Sequence, residues 1–147
     1  MSNFYDIINK QADELKSMGD FNLIIGIPFY NESESIIPII NAAINGVISY
    51  PVKINAAIIC AGDPAGQCVV DAINERTIHA DVPIKAFLMQ EGINGKGWST
   101  RAILEIAKRL HADVAMLEAD LICAEEHQPY VFFFSSRRRH TRLTCDW

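Results

Sequence analysis

Apolar positions along the chain alternate between two rhythms. Phe4, Ile7, Ile8, Ala12, Leu15 and Met18 recur at steps of three and four residues, which predicts an amphipathic helix over 3–18 with one face on a core. Gly19-Asp20 ends it. Leu23 to Ile27 is then a short unbroken apolar block, the pattern of a strand covered on both faces, and Pro28 is expected to break it. Ile36, Ile40, Ile44 and Val47, backed by Ile37 and Ala43, restore the helical rhythm. Asn31 or Ser33 can cap this second helix, Glu32 and Glu34 fall in its first turn where the dipole favours acids, and Tyr50-Pro51 closes it. A second strand is expected over Ile54–Cys60, with Ala61-Gly62-Asp63-Pro64 as its turn. Val69, Val70 and Ile73 mark a helix running to about Thr77. Pro83 opens a third strand, Ile84–Met89. Three glycines follow within Gly92–Gly97, then a helix from about Ser99 to Leu110 with Ile103, Ala107 and Leu110 on one face and Ile106 beside them. Val114–Leu117 forms the last apolar block, and it stops abruptly at Glu118-Ala119-Asp120.

One helix and then strands alternating with helices, undivided by any repeat or low-complexity linker, predict an α/β fold. Right-handed crossovers of this length build a parallel sheet with helices on both faces. In such open sheets, ligands bind beyond the carboxyl ends of the strands. That rule directs attention to Asn31-Glu32, Asp63, the glycine segment and Glu118-Ala119-Asp120, which follow successive strands.

Composition narrows the picture without changing it. The chain has 147 residues, half of them apolar and 21% charged, enough for one domain with a core. No apolar run reaches the roughly 18 to 20 residues that cross a bilayer, and Met1 to Lys16 lacks the plan of a signal peptide, so a cytoplasmic protein is expected. Cys60, Cys68, Cys123 and Cys145 form no CxxC pair and have no histidine at zinc-ligand spacing. They read as reduced thiols, three of them in the core. The net charge of −5 hides an asymmetry, because Ser135 to Trp147 holds four arginines and one acid. Phe132-Phe133-Phe134-Ser135-Ser136-Arg137-Arg138-Arg139-His140-Thr141-Arg142 closely resembles translated sequencing-adapter DNA, so the natural sequence is expected to stop near Tyr130 or Val131 and 132–147 to be a non-native tail, set aside in reading the fold. The remaining body is acidic, which argues against a nucleic-acid surface.

Each candidate feature also has an ordinary structural explanation. Gly92-Ile93-Asn94-Gly95-Lys96-Gly97 lets backbone approach an anion at a helix N-terminus, with Lys96 adding a full charge; an ordinary glycine turn would read the same way. It is no Walker A loop, since Gly97-Trp98 separate Lys96 from Ser99, and it is no dinucleotide fingerprint, since Thr100 stands where a third glycine belongs. Asp63 alone is a turn aspartate before proline. Glu118 and Asp120, one residue apart, can turn the same way toward a divalent cation or can simply end a strand and cap a helix. His79, His111 and His127 have no spaced partner and read as surface residues. A GxSxG nucleophile elbow is absent.

Taken together, these residues resemble the nucleotide-sugar half of GT-A glycosyltransferases, especially the family 2 group and the glucosyl-3-phosphoglycerate synthase type. Gly26-Ile27-Pro28-Phe29-Tyr30-Asn31-Glu32 is similar to that family's first strand ending in Pro-x-Tyr/Phe-Asn-Glu. Asp63 stands where the family has a base-reading aspartate, although its usual Asp-Asp-Gly-Ser run is replaced by Ala61-Gly62-Asp63-Pro64. Gly95-Lys96-Gly97 looks like its Gly-Lys-Gly segment, and Glu118-Ala119-Asp120 like its Asp-x-Asp motif with the first acid changed to Glu. The resemblance spans roughly 20–122.

It implies a truncated GT-A domain over 1–131, Rossmann-like in its parallel sheet, that binds a nucleotide-diphosphate sugar. Pro28, Tyr30, Asn31, Glu32, Asp63, Gly95, Lys96, Gly97 and Glu118 would contact the donor, and Asp120 would hold Mg²⁺ or Mn²⁺. Such a cation neutralises charge on the leaving diphosphate. The acceptor is unassigned. The catalytic base lies beyond the metal motif in this family, so the chain alone is expected not to turn over. Two alternatives come from other classes. One is an ATP-dependent ligase of the folylpolyglutamate-synthase kind, whose Gly-x-Asn-Gly-Lys-Gly-Ser loop resembles Gly92–Gly97 with Trp98 in place of the serine. The other is a non-catalytic nucleotide-binding module.

Overall fold

A computed structural model describes residues 2–30, 35–76, 81–93, 95–119 and 141–143. Along the chain these form α1 (Ser2–Met18), β1 (Leu23–Phe29), α2 (Ile36–Ser49), β2 (Ala56–Gly62), α3 (Gln67–Arg76), β3 (Ile84–Leu88), α4 (Lys96–Leu110), β4 (Asp113–Leu117) and β5 (Thr141–Leu143). The strands make one sheet in the order β3-β2-β1-β4-β5, and every pairing is parallel. This is the α/β architecture expected from the alternation of strands and helices, with a Rossmann-like doubly wound sheet.

Alternate residues of each strand enter two cores, one on either face. Leu23, Ile25, Ile27 and Phe29 of β1 pack with Ile58 and Cys60 of β2 beneath α2 and α3. Ile24 and the β2 residues Ala57, Ile59 and Ala61 pack on the other face beneath α1 and α4. With both faces covered, all seven positions of β1 and all seven of β2 are buried, which is why these strands read as unbroken apolar runs. Helix α1 seats Phe4, Ile8, Ala12 and Leu15 at 0–1% exposure, whereas Met18 at its end is 52% exposed. The close approach of α4 to β1 depends on Gly26: a Cβ there would lie 2.5 Å from Ile103 Cγ2 and 2.9 Å from Met116 Sδ.

Several boundaries differ from expectation for physical reasons. Pro28 does not break β1 but lies within it, opposite Ala61 of β2. The Phe29 carbonyl accepts from Asp63 N–H, so odd-numbered residues of β1 hydrogen-bond toward β2 and Pro28 faces β4. The β1–β4 ladder ends at Gly26–Met116, leaving the missing Pro28 N–H beyond any bond it would interrupt. Strand β2 starts at Ala56, two residues later than the apolar pattern suggests, although the Asn55 carbonyl already accepts from Asn22 and Leu23 N–H. Helix α4 begins at Lys96 rather than Ser99, which brings Lys96 and Gly97 into its first turn. At its other end His111 adopts the left-handed conformation (φ 55°) and its N–H bonds back to Lys108, the usual device for closing a helix. Thr141–Leu143, within the segment expected to be a non-native tail, pairs with Ala115–Leu117 of β4. Of the cysteines, Cys60 is buried and Cys68 exposed, while Cys123 and Cys145 lie outside the described residues. Burial pushes the Cys60 thiol pKa up. Among the described residues, no helix is long and apolar enough to cross a membrane.

Candidate functional site

Because all strands run the same way, their carboxyl ends share one rim. β1 and β4 are neighbours at its centre. Helix α2 leaves β1 on one face and α4 reaches β4 from the other, and it is at such a reversal of winding that open α/β sheets form a ligand crevice.

Two pairs of expected site residues meet along the rim. Asp63, just past β2, accepts from Ala65 N–H at 3.1 Å through Oδ1 and from Gly95 N–H at 3.3 Å through Oδ2. The first bond makes an Asx-type turn, and the second ties that turn to the glycine loop 32 residues away. In this state Asp63 organises backbone with both carboxylate oxygens. Past β4, Glu118 Oε1 accepts from Lys96 Nζ at 2.9 Å. The two side chains are 48% and 23% exposed, a setting in which an ion pair contributes little to stability.

The loop between β3 and α4 presents bare backbone. Gly92 and Gly95 have φ of 88° and 107°, values that side-chain-bearing residues rarely adopt. Among the described residues, a Cβ added at Gly92, Gly95 or Gly97 would meet nothing within 4 Å. Gly95 is the N-cap, with no side-chain cap, and its carbonyl accepts from Trp98 and Ser99 N–H; a helix start of this kind is where anions are received. Ser99 is wholly buried, and its hydroxyl has no partner among the described residues. It offers nothing to a ligand at the rim, which agrees with the failure of the Walker A spacing. Trp98, where the ligase-type loop has serine, packs edge-on to Phe4 at 5.2 Å, with Arg101 above both rings. It anchors the first turn of α4 to α1.

The other expected contacts separate. Pro28 is buried inside β1, while Tyr30 at its end is 56% exposed. Asn31, Glu32 and Asp120 lie outside the described residues; α2 starts only at Ile36 with Ser35 at its cap position and no acid in its first turn, so Asn31 and Ser33 are not its caps and Glu32 and Glu34 precede it in sequence. Among the described residues, no group of three or more His, Cys, Asp or Glu side chains could hold a metal ion.

Ser35 was not a candidate, yet it belongs to the rim. Its hydroxyl donates to the Ala119 carbonyl at 2.7 Å, linking the start of α2 to the end of β4. The available signal was Pro38: at the third position of α2 it has no N–H for a capping serine to receive.

The fold and rim define a class, a doubly wound α/β protein with a glycine loop, a lysine and two acids at its switch point. No family model, no curated protein and no solved structure matches the chain.

Proposed function

We propose that this chain is the donor-binding part of a glycosyltransferase that takes a nucleotide-diphosphate sugar and a divalent cation. The observation that carries the reading is the open glycine backbone at the start of α4, braced by Asp63 at one end and paired through Lys96 to Glu118 at the other. A diphosphate in this cradle would accept from the first-turn amides of α4 and take Lys96 from Glu118. The acid so released lies two residues before Asp120, the residue the family resemblance assigns to the cation. Mg²⁺ or Mn²⁺, bound there, would neutralise charge on the departing diphosphate. Tyr30 and Asp63, at the ends of neighbouring strands, would border the nucleoside, and Asp63 would keep the glycine loop in place while doing so. An acidic protein that binds an anionic donor needs such local offsets.

The test is calorimetric titration of UDP-glucose, GDP-mannose and ATP, each with and without Mn²⁺, into wild type and Asp120→Ala. Metal-dependent binding of a sugar nucleotide that is lost in Asp120→Ala is the expected result. Metal-independent or ATP-only binding would replace this reading with the ligase or the non-catalytic module.

A further inference from the structure

Ser35 stands immediately before α2, where a serine ordinarily accepts from the second or third amide of the helix. It makes no such bond, and its backbone is already helical, with φ −86° and ψ −22°. The third helical residue is Pro38, which has no N–H to offer, so the usual reason for a serine at this position is weakened. The hydroxyl instead bonds across 84 positions of sequence to the Ala119 carbonyl. Ala119 is 1% exposed and follows Leu117, the last residue of β4. Its carbonyl thus lies past the strand ladder, in a part-buried position where a protein donor is favoured. The bond crosses the switch point and joins the loop leaving β1 to the acidic turn leaving β4.

We infer that Ser35 is a positioning residue: it fixes the backbone of the Glu118-Ala119 turn so that Glu118 meets a ligand in one arrangement. This rests on the reading of that turn as part of the donor site. Holding a ligand-binding turn in its bound form lowers the ordering cost of association. The residue touches no ligand itself.

Hydrogen exchange of the full chain read by mass spectrometry, with Ser35→Ala and Ser35→Thr, tests the strap independently of any ligand. Loss of one neutral hydrogen bond shifts a local opening equilibrium about fivefold. Peptides covering 117–121 should therefore exchange about fivefold faster in Ser35→Ala, while those of β2 and α4 stay unchanged. Ser35→Thr, which keeps the hydroxyl at a half-buried position, should restore wild-type exchange. Unchanged exchange over 117–121, or an even rise across all strands, overturns the inference. In parallel, the affinity for the sugar nucleotide that wild type binds with Mn²⁺ should fall about fivefold in Ser35→Ala and recover in Ser35→Thr. If wild type binds no sugar nucleotide, the donor-site reading fails and the exchange result alone decides the strap. Binding equal in all three proteins, with faster exchange in Ser35→Ala, would make the bond structural and refute its positioning role.

Discussion

Replacing Gly97 by alanine separates a helix that starts with glycine for its own reasons from one that leaves room for a ligand. Gly97 is the second residue of α4 and has no positive φ; a Cβ there meets nothing within 4 Å. Nothing among the described residues therefore opposes alanine. Glycine within a helix costs roughly 0.5–1 kcal/mol relative to alanine, so Gly97→Ala should raise unfolding free energy by up to about that amount. In a chain of this length the melting temperature should rise by about 2–4 °C. If a diphosphate lies against the first turn of α4, the same methyl occupies its approach, and affinity should fall about tenfold, or about 1.4 kcal/mol. Gly95→Ala is the companion variant. Its φ of 107° makes alanine strained by roughly 1–3 kcal/mol, so stability and binding should both fall. Thermal unfolding and isothermal titration with a sugar nucleotide and Mn²⁺ read the two quantities separately. A Gly97→Ala protein that is more stable and binds as tightly as wild type would refute the claim that this helix start receives the ligand. A less stable one would refute the open geometry itself.

Three further expectations concern the fold. Gly26→Ala drives a methyl into Ile103 and Met116 and should cost about 1–3 kcal/mol in urea unfolding, and its loss combined with Ile103→Ala should be smaller than the sum of the two single losses. His111→Gly relieves a left-handed non-glycine residue at the end of α4 and should stabilise by about 0.5–1 kcal/mol; a loss of stability would show that the His111 side chain contributes more than its backbone costs. The Lys85 ammonium, hydrogen-bonded to Glu14, holds that carboxyl below its ordinary value of 4.5. The folded-state pKa is depressed, so the associated stability is present above 4.5 and is lost as pH falls through the lowered value. The stability difference between wild type and Glu14→Gln should therefore shrink as pH is taken below 4.5 in unfolding titrations; a difference that stays constant would assign the pair no electrostatic role.

The four apolar blocks and the helical rhythms between them were legible along the chain, because a strand buried on both faces admits almost no polar residue and a surface helix must turn one stripe inward. From that alternation the parallel sheet follows, and from the sheet the common rim of strand ends. Local pattern could not reveal how far β1 extends, since Pro28 is tolerated only because the neighbouring ladder stops at Gly26–Met116. Nor could it show that α4 starts at Lys96, a boundary governed by backbone at Gly95 rather than by apolar spacing. The joining of Asp63 to Gly95, Lys96 to Glu118 and Ser35 to Ala119 belongs to tertiary structure alone. Each spans 22 or more residues, and such contacts form only after the crossovers have set β3, β2, β1 and β4 side by side and brought their ends within hydrogen-bonding reach.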